Sequence, residues 1–289
     1  MLSALLLCAC DGLLGLERMP SPLPAPEADP GPAWQALLQS ASSAEGVDYD
    51  RVAAEAETLH RFVAWVGAHG PQSDGLGESK EDENLAFLIN AYNALVVFAV
   101  LERRPLASVQ DLELGPLDRP GAGFFFAQRF LVDGEWLSLH SLERQYIVDR
   151  YQEPLVHAAL VCASKGCPQL RWYTAKGLQN QLQAAMRGYI GSEAGMRLQG
   201  ETASASPLFQ EYRDDFLDWS ADPTLCAWME DHAFGERRRW LHAHASDCPL
   251  EFHAWDGSLN QAQVPVPDPG SALAPAPPEE LSTQDKDSG

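Results

Sequence analysis

The sequence of 289 residues lacks the short motifs that most often identify an enzyme. It contains no Gly-rich phosphate loop, no HExxH pair and no GxSxG elbow. No internal repeat and no heptad segment are found either. From the sequence we therefore predict no cofactor and no metal ion, and we leave open whether the protein is an enzyme.

Basic residues are also few. The chain has 20 Lys and Arg against 41 Asp and Glu, a formal net charge of −21. A surface this acidic repels the phosphates of nucleic acids and anionic lipid headgroups. We expect no nucleic-acid partner, and a soluble domain that stands away from a membrane surface.

Long apolar runs are scarce as well, because no segment reaches the roughly 20 unbroken apolar residues of a membrane helix. Residues 84–101 come closest, but Asn84, Asn90, Tyr92 and Asn93 interrupt them, so we predict a buried helix. Asn90 and Asn93 share a face of that helix. A buried unpaired amide costs about 1–3 kcal/mol. Each amide must therefore have a hydrogen-bond partner. We favour the interpretation that the amides bind loop backbone; the alternative is that they orient a site.

The N-terminus resembles a bacterial lipobox. Residues 1–10 form an apolar segment that ends at Cys10, although Cys8 stands where a small residue is usual and no basic residue precedes the segment. We predict that Cys10 is lipidated and anchors the protein in a bacterial cell envelope, facing the periplasm or the exterior. The alternative is a hydrophobic N-terminus without an export role. Residues 11–33, rich in proline, predict an extended linker.

The remaining pattern predicts an α+β fold: a mostly helical single domain over residues 34–260 with a small β-sheet. Asp133-Gly134 between two alternating stretches predicts a hairpin over 124–137, and the apolar run 155–162 predicts a buried strand. Residues 261–289, acidic and rich in proline, predict a disordered tail. The helical spacing of apolar residues predicts helices over 34–41, 50–66, 84–101, 139–151, 174–189, 206–219, 223–234 and 236–245.

The stretch 154–168 carries three side chains that can react or bind a metal ion, namely His157, Cys162 and Cys167. Cys162 could act as a nucleophile with His157 as its base and Asn93 or Glu143 as the group that orients the imidazole. On a regular strand His157 and Cys162 would point to opposite faces, so a bend would have to bring them together. This hypothesis predicts a thiol-dependent hydrolase or transferase.

Three further interpretations remain open for this cluster. Cys162 and Cys167 could form a disulfide that clamps the turn between them, structural or redox-active. The three side chains could bind a metal ion, or they could simply pack in the core. We favour the structural disulfide. A second bridge, Cys226–Cys248, would close a loop of about 20 residues and contribute roughly 3 kcal/mol.

Five separated motifs together resemble the domain of unknown function 547 family, in its bacterial secreted or lipoprotein form. The motifs are AFLINAYNALV at 86–96, LSLHSLERQYI at 137–147, VHAALVCASKGCPQLR at 156–171, SPLFQEYRDDF at 206–216 and WDGSLN at 255–260. The resemblance implies no assigned activity. It implies that certain positions matter, namely Asn90, Tyr92, Asn93, Glu143, His157, Cys162, Ser164, Cys167 and Pro168. The chain departs from the family at His140-Ser141, where an acidic pair is usual, and at Arg144, where a histidine is usual.

Overall fold

A computed structural model of the chain describes residues 16–73, 80–114 and 120–262. The described part is a mixed α+β unit, mostly helical, with sheets of two or three short strands. This confirms the predicted fold class. The α-helices are α1 Gly31–Ala41, α2 Tyr49–Ala54, α3 Ala56–Ala68, α4 Glu81–Arg103, α5 Leu139–Ser141, α6 Asp149–Tyr151, α7 Leu178–Ile190, α8 Pro207–Glu211, α9 Arg213–Asp218, α10 Leu225–His232 and α11 Gly235–Ala243.

The strands that the structure describes are short and form three separate sheets. A three-stranded sheet has the order β1-β4-β5, a second has the order β6-β7-β8, and β2 pairs with β3 alone. Their bounds are β1 Glu17–Arg18, β2 Ser42–Ser43, β3 Gly46–Val47, β4 Gln128–Val132, β5 Glu135–Leu137, β6 Met196–Gln199, β7 Thr202–Ala205 and β8 Glu251–Phe252.

Helix α4 is the centre of the fold. Its 23 residues are long and apolar enough to cross a membrane, but 89% of its most apolar window is buried inside the protein. This confirms the predicted core helix. Three acidic residues occupy its first turn, where their negative charges are stabilised by the positive end of the helix dipole. Arg104-Pro105 ends the helix.

The hairpin predicted over 124–137 is present, with a shorter first strand. Asp133 and Gly134 form the turn with φ of 49° and 82°, as the two positive values of this turn type require. Residues Gly123–Ala127 are π-helical, so the first strand of the hairpin begins at Gln128 instead of Phe124, and Phe130 is buried on it. On its other edge β4 pairs with β1, and the neighbouring Met19 is buried.

The strand predicted over 155–162 is wrong. Pro154–Ala158 form a 3-10 helix that begins at a proline, and Glu153 caps it by accepting a hydrogen bond from the N–H of Leu155 at 3.0 Å. The run is apolar because it is buried among helices, and a short apolar run of this kind does not distinguish a strand from a buried helical turn. The run packs against α4, whose Asn93 binds the backbone of Ala159 and Val161.

Other boundaries differ from the predictions for local reasons. The predicted helix 139–151 has a π-helical middle, Leu142–Val148, between α5 and α6. Helix α7 begins after Gly177 with φ of 81°, instead of at Thr174, whose hydroxyl binds the carbonyl of Lys176. Residues 191–206, between two predicted helices, contain the hairpin of β6 and β7, which the helical spacing of apolar residues does not predict.

Two disulfides and a C-terminal segment complete the unit. Cys226 and Cys248 are bonded, which joins α10 to the chain after α11. Residues 255–260 run along the corner 163–167 and form a bridge between Ser164 and Leu259. We call residues 255–260 the C-terminal strap. Cys10 and residues 263–289 of the predicted tail lie outside the described residues.

Candidate functional site

A cavity of about 770 Å³ lies where the π-helical turns, the 3-10 helix and the strap meet. Its size is that of a small-molecule site. Its walls combine aromatic rings, two glutamates and two histidines. The lining includes Tyr92, Phe125, Phe126, Glu143, His157, Cys162, Pro168, Glu211, Tyr212 and Trp255.

The imidazole of His157 is fixed on two sides. It is 2% exposed, and its Nε2 lies 2.9 Å from Oδ2 of Asp215. Its ring stacks on Tyr212 with the centroids 3.9 Å apart. Asp215 thus holds the imidazole from α9, 58 residues further along the chain.

Asp215 also accepts a hydrogen bond from Nη1 of Arg144 at 2.9 Å. Burial raises the pKa of the Asp215 carboxyl, but the hydrogen bonds from His157 and Arg144 outweigh burial and lower the pKa below its ordinary value. Arg144 supplies a permanent positive charge to the same carboxylate that holds His157.

The carboxylate of Glu143 is held by two tyrosines. The hydroxyl of Tyr212 donates to one oxygen at 2.5 Å, and that of Tyr92 donates to the other at 3.3 Å. Burial, followed by the charge of Glu143, raises the pKa of both tyrosines, so both remain protonated donors. Because each carboxylate oxygen has two acceptor positions, Glu143 can still accept bonds from a ligand.

The two asparagines of α4 hold backbone instead of lining the cavity. Asn90 binds both backbone groups of Tyr173, at 2.7 and 2.9 Å. Asn93 donates to the carbonyl of Ala159 at 2.9 Å and accepts from the N–H of Val161 at 3.0 Å. Asn93 therefore fixes the segment that joins His157 to Cys162.

Cys162 and Cys167 are bonded to each other, as predicted. The Sγ of Cys167 accepts the N–H groups of Cys162 and Ser164 at 3.2 and 3.3 Å. While this bond exists Cys162 has no thiolate, so the geometry fits a structural role for the pair and gives no nucleophile for the hydrolase hypothesis.

The structure brings some of the predicted site residues together and separates others. Tyr92, Glu143, His157, Cys162 and Pro168 share the cavity. The other predicted members do not line it: Asn90 and Asn93 are buried, and Ser164 and Cys167 line a second cavity. A group of three or more metal-binding side chains is not found in the part of the chain that the structure describes.

Three contributors were missed from the sequence: Tyr212, Asp215 and Trp255. Tyr212 and Asp215 lie in the motif at 206–216, and Trp255 opens the motif at 255–260. Both motifs combine polar and aromatic residues, and this combination is the sequence signal that could have identified the three residues. Neither motif matches a pattern of known chemistry.

Comparison with known proteins gives one match. Residues 76–190 match the family model described as "Protein of unknown function, DUF547", which confirms the resemblance. The match contains the first three of the five motifs and ends before the other two. No curated protein and no solved structure matches the chain.

Proposed function

We propose that this chain, whose residues 76–190 belong to the DUF547 family of unknown function, is a binding domain for a small organic cation. The observation that carries the proposal is the charge of the cavity wall. Two glutamates, Glu143 and Glu211, line the cavity, and among the residues that the structure describes no lysine or arginine does. A positively charged group would therefore enter a negative environment.

The aromatic side chains favour the same ligand class. The rings of Tyr92, Phe125, Tyr212 and Trp255 line the cavity beside Glu143. Aromatic faces attract ammonium and guanidinium groups through the ring quadrupole, by about 0.5–2 kcal/mol each. They also bury the apolar part of a ligand. A cation with an apolar or aromatic body uses both properties of the wall.

The test is a binding titration of the full chain with benzylammonium, its neutral isostere benzyl alcohol, and benzoate. Tryptophan fluorescence reports binding because Trp255 lines the cavity, and calorimetry measures binding independently. Benzylammonium should bind most tightly, and benzoate should not bind. Glu143→Gln, which keeps the acceptor for Tyr212, should weaken benzylammonium by about ten-fold, corresponding to about 1.4 kcal/mol.

The matched control is Glu236→Gln, because Glu236 lies on α11 with its side chain 81% exposed. That variant should bind like the wild type. Equal affinities for benzylammonium and benzoate, or a Glu143→Gln variant that binds unchanged, would contradict the proposal.

We further propose that the domain works in a bacterial cell envelope, anchored by a lipid on Cys10. The apolar segment before Cys10 supports this, and so do the two disulfides, since such bonds persist in oxidising compartments. Labelling of cells with a palmitate analogue should mark the protein, and Cys10→Ser should abolish the label and release the protein from the membrane fraction. A label that survives Cys10→Ser would contradict the anchor.

A further inference from the structure

We infer that the Cys162–Cys167 disulfide is a thiol–disulfide exchange site, and that its substrate is a dithiol which enters the large cavity. The inference does not rest on cation binding, because it needs only the bridge and its surroundings. Three observations support it: the two sulfurs differ in access, Cys167 is a stabilised leaving group, and the corner is held without the bridge.

The two ends of the bridge face different spaces. Cys162 is partly exposed and lines the cavity of about 770 Å³. Cys167 is 8% exposed and lines a separate cavity of about 380 Å³. A dithiol that enters the large cavity in its neutral, protonated form therefore meets Cys162 first. The second bridge also has one buried end, Cys226, and one partly exposed end, Cys248, but Cys248 does not line this cavity.

The surroundings of Cys167 favour its departure. Its Sγ accepts two backbone N–H groups, from Cys162 and Ser164. Hydrogen bonds to the charged form of a group lower its pKa, and a thiol of lower pKa leaves faster in exchange. Attack at Cys162 with Cys167 as the leaving group is therefore the favoured direction.

The exchange takes place in two steps. A substrate thiolate attacks Sγ of Cys162, a new sulfur–sulfur bond forms, and the electron pair of the broken bond goes to Cys167 as a thiolate. The second thiolate of the substrate then attacks its own first sulfur and displaces Cys162 as a thiolate. The substrate leaves as a disulfide, two electrons reduce the cysteine pair, and the two protons of the dithiol pass to it or to water.

The corner does not depend on the bridge for its position. The strap accepts the N–H of Lys165 at Ser258 and the N–H of Gly166 at Asp256, both at 2.9 Å. Asn260 donates to the carbonyl of Ala163 at 3.0 Å, and Tyr189 donates to that of Gly166 at 2.7 Å. These four bonds remain when the disulfide opens, so the reduced form can keep its fold and be oxidised again.

The first test compares the two bridges in one molecule. The full chain with Cys8→Ser and Cys10→Ser is exposed to dithiothreitol without denaturant, quenched with an alkylating reagent and analysed by peptide mass spectrometry. We expect Cys162–Cys167 to open about ten-fold faster or more than Cys226–Cys248, with an unchanged circular dichroism spectrum. Equal rates, or opening only on unfolding, would overturn the inference.

The second test measures a property that a purely structural bridge would not need. In the same background, Cys162→Ser leaves Cys167 free and Cys167→Ser leaves Cys162 free. The pH dependence of alkylation should give Cys167 a pKa below the ordinary value of about 8.5, and oxidised glutathione should form a mixed disulfide with Cys162. A Cys167 that titrates at or above the ordinary value would overturn the assignment of the leaving group.

Discussion

At the scale of single residues, Asn93 links the central helix to the site. Its amide is buried, and both of its bonds go to backbone 66 and 68 residues away. The sequence predicts that such an amide needs partners, because a buried polar group without them is costly. It does not predict which partners, because these meet Asn93 only through tertiary packing.

Replacing Asn93 by alanine should destabilise the protein by about 2–4 kcal/mol, since the carbonyl of Ala159 and the N–H of Val161 lose their buried partner. Urea unfolding measures the change. Gln179→Ala on the exposed face of α7 is the control and should shift stability by less than about 0.5 kcal/mol. An unaltered midpoint for Asn93→Ala would mean that water satisfies both groups.

Asp215 makes stability depend on pH. The pKa of its carboxyl is lowered in the folded protein, because the hydrogen bonds from His157 and Arg144 outweigh burial, whereas the unfolded chain has a value of about 3.9. Between these two pKa values only the unfolded chain binds the proton, so stability rises with pH. The contribution of Asp215 is present above about pH 4 and is lost as the pH falls through the folded pKa.

Asp215→Asn should therefore be less stable than the wild type near neutral pH, and this difference in unfolding free energy should shrink from about pH 5 to about pH 3. Urea unfolding of both proteins across this range measures it. The pairwise comparison cancels the titration of the other carboxylates. A difference that stays constant would show that Asp215 gains nothing from being ionised.

At the scale of elements, the local signals that specify backbone geometry were predictive. Asp133-Gly134 supplies positive φ at both turn positions, so the hairpin follows from two residues. The run 155–162 carries no such signal. Its backbone is satisfied by Asn93 and by a 3-10 helix instead of a neighbouring strand, and hydrophobicity alone does not contain that information.

Gly134 offers a clean test of backbone conformation. With φ of 82° and open space around the added methyl, Gly134→Ala should cost about 1–2 kcal/mol through strain alone. Gly188→Ala is the matched control, because its methyl would make only ordinary contact inside α7 and should stabilise by about 0.5–1 kcal/mol. Urea midpoints of the two variants should move in opposite directions, and shifts in one direction would contradict this account.

At the scale of the whole molecule, the site is larger than the family match. Residues 76–190 supply Glu143, His157 and Cys162, but Tyr212 and Trp255 come from beyond them. The part of the cavity wall that Tyr212 and Trp255 form thus depends on contacts across more than 60 residues of chain, such as the bond from Tyr212 to Glu143. A linear motif cannot encode such a contact, which is why the sequence yielded part of the site.

We predict that the C-terminal strap belongs to the functional unit, whereas residues 263–289 do not. Removing residues 255–289 takes away Trp255 and the strap, which leaves the N–H groups of Lys165 and Gly166 and the hydroxyl of Tyr49 without their partners. We expect a loss of about 3 kcal/mol or more in urea unfolding and a loss of benzylammonium binding. Removing only residues 263–289 is the control and should leave stability and binding unchanged. If both truncations behave alike, the strap does not hold the corner, and the exchange site would need its disulfide to keep its shape.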